Sequence, residues 1–165
     1  MVEIELVTFI AAPRERVFDL ARSIDLHQRS TERTREQAVG GRTSGLIGLG
    51  ETVTWRARHL GVTQHLTSRI SGYDRPGWFQ DEMVRGAFAR MVHDHWFDEA
   101  DGGTLLRDSF RFAAPLGPLG RIAEALVLRR YMTRFLQERN AVIKQVAESD
   151  EWRRFLPASA TDVGQ

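Results

Sequence analysis

The chain contains no cysteine, which excludes disulfide scaffolds, thiolate catalysis, cysteine-based zinc sites and iron–sulfur clusters. No stretch approaches the roughly 18 consecutive apolar residues of a membrane-spanning helix. Charge of one sign is also missing: 23 basic side chains, of which only Lys144 is lysine, face 22 acidic ones for a net +1. Such a balance supplies no general attraction to phosphate backbones or anionic membranes, and no aromatic recognition motif accompanies it, so nucleic acid is not an expected partner. The opening Met1-Val2-Glu3-Ile4-Glu5 is acidic and alternating rather than basic and then apolar. A cytoplasmic protein is therefore expected.

What is present is ordinary globular composition, 42% hydrophobic and 27% charged over 165 residues, enough for one domain enclosing a sizeable core. We read residues 1–150 as that domain and 151–165 as a short C-terminal tail. Val2 to Ala11 alternates as a strand, with Ile4, Leu6 and Thr8 on one face. Pro13 suits the first turn of a helix carrying Val17, Phe18, Leu20 and Ala21, and Asp25 can cap a second short helix to about Ser30. A short strand fits 33–39, and the glycine-rich stretch 40–50 reads as a flexible connector able to gate a pocket. Five strands are then expected at 51–60, 62–73, 78–84, 88–100 and 104–114. The turn signals Gly61, Asp74-Arg75-Pro76-Gly77 and Asp101-Gly102-Gly103 set them in antiparallel order. From Leu119 to Glu148 an apolar stripe recurs at three- and four-residue steps through Ile122, Leu126, Met132, Phe135, Ile143 and Val146. That stripe predicts a long amphipathic helix.

Strand, two short helices, six strands and one long helix is an uncommon order. It resembles the helix-grip fold of the SRPBCC superfamily, which includes START lipid-transfer domains, birch-pollen-allergen relatives and polyketide cyclase/dehydrase-like proteins. The likeness rests on the opening strand with Ala12-Pro13-Arg14-Glu15-Arg16-Val17-Phe18-Asp19 and on Asp25-Leu26-His27-Gln28-Arg29-Ser30. The connector 40–50 and Ala114-Pro115-Leu116-Gly117-Pro118-Leu119-Gly120 extend it over residues 2–148. It implies an α+β helix-grip fold: a curved seven-stranded antiparallel sheet wrapped around a long C-terminal helix, with two short helices between the first two strands. A ligand cavity lies between sheet and helix in such folds, and the superfamily includes enzymes, carriers and sensors alike.

Strand alternation proposes the cavity wall, because residues two apart share a face. Putting Arg90, Asp94 and Asp98 in water turns Met91, His93, His95 and Phe97 inward. Putting Arg107 and Arg111 outside leaves Leu106, Asp108, Phe110 and Phe112 inside. The other strands add Val53, Trp55 and Ala57; Leu66, Ser68 and Ile70; and Phe79, Asp81 and Met83. The helix adds Leu126 and Met132. The interior is thus apolar with a polar group at His93, His95, Asp108 and either Glu51 or Asp81, suited to hold the polar end of an amphipathic ligand. The same His93 or His95, oriented by Asp108, could serve as a general base in a cyclase- or dehydratase-like reaction. A third reading is a structural or partner-binding domain with a vestigial cavity.

Other chemistry finds less support. His93-Asp94-His95 followed by Glu99 has the spacing of a cupin metal motif, but Glu99 approaches a turn and no second histidine motif follows. No metal and no cofactor are expected. Gly45-x-x-Gly48-x-Gly50 reverses the dinucleotide spacing and precedes a strand, so it makes no phosphate cradle. Ser44 lacks a nucleophile-elbow context, and His27, His59 and His65 read as solvated or capping side chains. The expected function is binding or transport of a hydrophobic or amphipathic, lipid- or polyketide-like small molecule. Oligomeric state is not indicated.

Overall fold

Alternation of apolar and polar residues builds the sheet, and three-to-four spacing builds the helix that lies against it. The computed structural model describes residues 1–59, 61–113 and 127–157. In chain order these are β1 (Val2–Ile10), α1 (Arg14–Ala21), α2 (Ile24–Ser30), β2 (Gln37–Gly41), β3 (Thr52–His59) and β4 (Val62–Asp74). They continue with β5 (Trp78–Arg85), β6 (Arg90–Ala100), β7 (Gly103–Ala113) and α3 (Arg129–Ala147). The seven strands form one sheet in the order β1-β7-β6-β5-β4-β3-β2, each neighbouring pair antiparallel. Strand β1 thus lies beside the last strand, and the two short helices carry the chain across to the opposite edge. Gly61 and Gly102 take positive φ angles of 82° and 76° at the β3–β4 and β6–β7 turns. Glycine adopts that backbone at no steric cost.

Helix α3 buries Met132, Phe135, Leu136, Ile143 and Val146 against β1, α1 and α2. Two apolar clusters result. One gathers Phe18, Phe79, Phe97, Ile143 and Val146, with the Phe18 ring meeting Tyr73, Phe79 and Phe97 edge-on at 5.4, 5.4 and 5.1 Å. The other gathers Ile4, Met91, Phe110, Phe112, Met132 and Phe135. Each such side chain contributes about 1.5–3 kcal/mol when fully buried.

Several local expectations need correction. Ser23, not Asp25, caps α2, its Oγ accepting the Leu26 N–H at 3.2 Å. Asp25 accepts the Gly45 N–H at 2.8 Å instead, and the Ile24 and Ile47 N–H groups bond the Gly45 and Arg22 carbonyls. The glycine-rich connector is therefore fastened to the α1–α2 junction. The 33–39 segment is split: Glu32–Thr34 forms a 3₁₀ turn, Arg35 takes φ 52°, and β2 begins only at Gln37. The segment expected as a tail is part of the core as far as Leu156, because Trp152 and Leu156 are both buried and Arg16 stacks over the Trp152 ring at 4.4 Å. The helical stripe before Val127, including Leu126, lies outside the described residues. Asp94, expected in water, is buried on the outer face under the Trp78 and Gln80 N–H groups and Arg111. Arg111 is thereby a partner for a buried carboxylate rather than a free surface cation.

Candidate functional site

Between the concave face of the sheet and α3 lies a cavity of about 270 Å³. Its wall includes Val53, Trp55, Ala57, Leu66, Ser68, Ile70, Phe79, Asp81, Met91, His93, His95, Phe110 and Met132, thirteen of the positions proposed from strand and helix periodicity. Tyr131, Phe135, Leu136 and Arg139 join them. Five proposed positions do not reach the cavity, among them Leu106, which is fully buried in the first apolar cluster. Phe97 and Phe112 point inward as expected but are fully enclosed by the two apolar clusters. Met83 packs beside the second cluster. Asp108 sits behind the two histidines rather than in front of them. Glu51 is on the surface, bound by Arg42 at 2.8 Å, so Asp81 is the second carboxylate of the interior.

Strands β5, β6 and β7 bring the first polar cluster together through their register, which pairs Asp81 with His93 and His95 with Asp108. Asp108 Oδ1 lies 3.0 Å from His93 Nε2 and 2.8 Å from His95 Nδ1. Asn140 donates to Asp108 Oδ2 at 2.6 Å, and Arg139 Nη1 stands 3.8 Å from Oδ1. Burial by itself would raise the Asp108 pKa, but the hydrogen bonds from His93 and His95 outweigh it and hold the carboxyl well below its ordinary value. The same competition lowers Asp81, burial opposing and the His95 hydrogen bond prevailing. The two imidazoles part company. Burial, reinforced by the charge of His95, pushes His93 down to about 4. His95 is raised: burial opposes its charge, but hydrogen bonds to Asp108 and to Asp81, 3.1 Å from Nε2, prevail.

A second polar cluster lines the same cavity, and its two histidines, His27 and His59, are ones that sequence context reads as solvated or capping. Glu36, buried between the 3₁₀ turn and β2, is held by His27 Nε2 at 2.7 Å and His59 Nε2 at 3.2 Å. The Tyr131 hydroxyl lies 2.9 Å from His59 Nδ1. Burial works against the Glu36 carboxylate, yet the hydrogen bonds from His27 and His59 lower its pKa to about 2. The His27 ring lies over Trp55 with centroids 4.3 Å apart, joining this polar end to the apolar wall. The one signal for this group in the sequence is the alternation in β3, which makes His59 a same-face neighbour of Trp55 and Ala57. His65, in contrast, is exposed as expected.

The group Asp81, His93 and His95 could also hold a metal ion, since one donor atom from each falls within 4.8 Å of the others. Glu99, the third ligand of the sequence pattern, instead points to solvent and meets Arg14 at 3.4 Å. No described helix is long and apolar enough to cross a membrane.

Solved structures share this architecture at low identity. The protein TTHA0849 from Thermus thermophilus superposes with a TM-score of 0.70 at 18% identity, over 90% of this chain and 100% of that one. Ginseng major latex-like protein 151 from Panax ginseng gives 0.68 at 15% identity, covering 90% and 98%. A START superfamily protein from Mycobacterium smegmatis gives 0.66 at 9%, covering 88% and 97%. These likenesses establish the helix-grip fold. No curated protein matches the sequence. The family described as "Polyketide cyclase / dehydrase and lipid transport" matches residues 1–148, nearly the whole domain with both polar clusters inside it, and the chain belongs to that family of the SRPBCC superfamily.

Proposed function

We propose that the protein binds and carries a compact amphipathic small molecule, lipid- or polyketide-like, in the cavity between the sheet and α3. The observation that carries this reading is an apolar chamber of about 270 Å³ with polar side chains at two separate places on its wall. That volume lies just below the range usual for small-molecule pockets, about 300–1,000 Å³, which favours a compact ring system over a bulky lipid. Tyr131 and Arg139, one in each polar neighbourhood, are eight residues apart on α3, a rise of about 12 Å. A ligand with polar groups at both ends would satisfy both.

The alternative, a cyclase- or dehydratase-like reaction, needs a base whose pKa is near the working pH. His93, at about 4, is too weak, and His95 is held between two carboxylates. Carriage is the better fit. Native mass spectrometry of freshly purified protein, with organic extraction, tests it directly. An added mass that disappears on extraction, and displacement of an apolar fluorescent probe by the extract, is the expected result. Phe110→Arg should place a charge in the chamber and abolish probe uptake. A wild-type protein with no added mass and no probe uptake would overturn the reading, and conversion of the extracted molecule that stops in His95→Gln while binding persists would replace it with the enzyme.

A further inference from the structure

We propose that Asp81, His93 and His95 form a binding site for a divalent first-row transition metal ion, of the zinc, cobalt or iron class, opening into the cavity. The inference starts from Asp108. Its Oδ1 lies within hydrogen-bond distance of one ring nitrogen of each imidazole, at 3.0 Å from His93 Nε2 and 2.8 Å from His95 Nδ1. A carboxylate only accepts, so both of those nitrogens carry the proton. Of the opposite nitrogens, His93 Nδ1 bears a lone pair in the neutral ring, and His95 Nε2 donates to Asp81 and would give up that proton to a metal. Both lie near one atom, Asp81 Oδ2, at 4.0 and 3.1 Å.

These three residues suit a metal in kind, and one donor atom from each lies within 4.8 Å of the others. A tetrahedral ion with bonds of about 2.0–2.1 Å to nitrogen and oxygen separates its ligands by about 3.3–3.4 Å, a value bracketed by the two distances to Asp81. Two imidazoles and one carboxylate suit zinc, iron, cobalt or nickel, whereas magnesium and calcium prefer all-oxygen sites. Asp108 occupies the place of an outer-shell carboxylate, orienting both ligand rings from behind, and Asn140 in turn donates to it at 2.6 Å. His93 is itself 6% exposed, and its Nδ1 has no hydrogen-bond partner among the described residues, although the ring lines the cavity. A ring nitrogen that faces a cavity without a protein partner is open to a ligand atom.

Three protein ligands leave an open position, as in metal sites that act on a bound molecule rather than holding the fold together. Here that position faces the chamber, so the ion would take an oxygen of the carried molecule. This last role rests on the carrier reading, while the metal site itself does not.

The test uses the full-length protein freed of metal by chelation and titrated with Co²⁺, followed by visible absorption, and with Zn²⁺, followed by calorimetry. An equimolar complex with the intense absorption of low-coordinate cobalt is expected, and millimolar Mg²⁺ should not displace it. Asp81→Ala and His93→Ala should each weaken Co²⁺ binding by about 100-fold or more, and Asp108→Asn by about 10–100-fold. Glu99→Gln, altering the exposed acid of the cupin-like spacing, should change nothing. Because Asp108 also supports the fold, ring ¹⁵N shifts of the wild type on adding Zn²⁺ give a second readout that needs no variant. They should move at His93 Nδ1 and His95 Nε2 and not at their Asp108-bonded partners. Wild-type Co²⁺ binding no tighter than that of Asp81→Ala, a loss in Glu99→Gln, or metal-induced shifts at the opposite nitrogens would each overturn the site. Failure here with a co-purified organic mass still present would leave the carrier reading standing.

Discussion

Two histidine–carboxylate clusters line one cavity, and they are built on different plans. The cluster of Asp81, His93, His95 and Asp108 comes from three adjacent strands and is completed by Arg139 and Asn140 on α3. The cluster of His27, Glu36, His59 and Tyr131 draws one residue each from α2, the segment before β2, β3 and α3. In the first, two carboxylates and a guanidinium surround two imidazoles, and the buried charges compensate one another. In the second, a single carboxylate is shared by two imidazoles at the edge of the chamber. In both, hydrogen bonds from imidazole, joined by the charge of the histidines, lower the pKa of a buried acid against the cost of desolvation. The difference lies in dependence. Asp108 is the common partner of several fully enclosed groups, whereas Glu36 serves two histidines whose side chains remain about one-fifth exposed.

That contrast predicts unequal costs. Asp108→Ala strands two buried imidazoles and the Arg139 guanidinium, and should lower unfolding free energy by about 3–5 kcal/mol. Glu36→Ala should cost less, about 1–3 kcal/mol, because water can reach His27 and His59. Urea unfolding of the two variants side by side would reverse this ranking if Glu36→Ala proved the more damaging.

On the acid limb of the stability curve, the difference between wild type and a Glu36 variant isolates the second cluster. Glu36 titrates at about 2 in the folded protein and near its ordinary 4.5 when unfolded. A depressed folded pKa contributes stability that is present above about 4.5 and is lost as pH falls toward 2. His27 from α2 and His59 from β3 face the carboxylate, and Tyr131 from α3 stands behind His59, so all three elements share the effect. The stability advantage of wild type over Glu36→Gln should shrink by on the order of 2–3 kcal/mol between pH 6 and pH 2.5. An advantage independent of pH in denaturant titrations would show that Glu36 is not held ionised by its histidines.

Outside the cavity, Arg111→Glu would set a second carboxylate beside buried Asp94, which Arg111 now meets at 2.6 Å. Measurable destabilisation in urea is expected, where strand parity by itself would predict none. Tyr131→Phe is the mildest change of the set. It removes one hydrogen bond to a half-buried His59 and keeps the ring, so it should cost about 0.5–1.5 kcal/mol in thermal or urea unfolding. A much larger loss would mean that the second cluster depends on its phenol as heavily as the first depends on Asp108.

Strand faces, hairpin order and the apolar stripe of α3 can all be read from the chain alone, because they follow from side-chain periods of two and about 3.6 within one element. His93, His95 and Asp108 are legible for the same reason: alternation turns all three inward. Whatever depends on how elements meet is settled only by packing. Phe97 and Phe112 face inward by parity, but it is the packing of α1 and α3 that encloses them away from the chamber. Asp94 faces outward by parity, yet cross-strand Trp78, Gln80 and Arg111 cover it. Alternation offers both Glu51 and Asp81 as partners of the histidines; Asp81 is the one beside them because the β5–β6 register sets it opposite His93, and no pattern along either strand encodes that register. Glu36 and Tyr131 are far apart in the chain and meet through His59 only when α3 is laid across the sheet. Periodicity is a property of a local segment, while a buried acid's partners are chosen by the packing of distant ones.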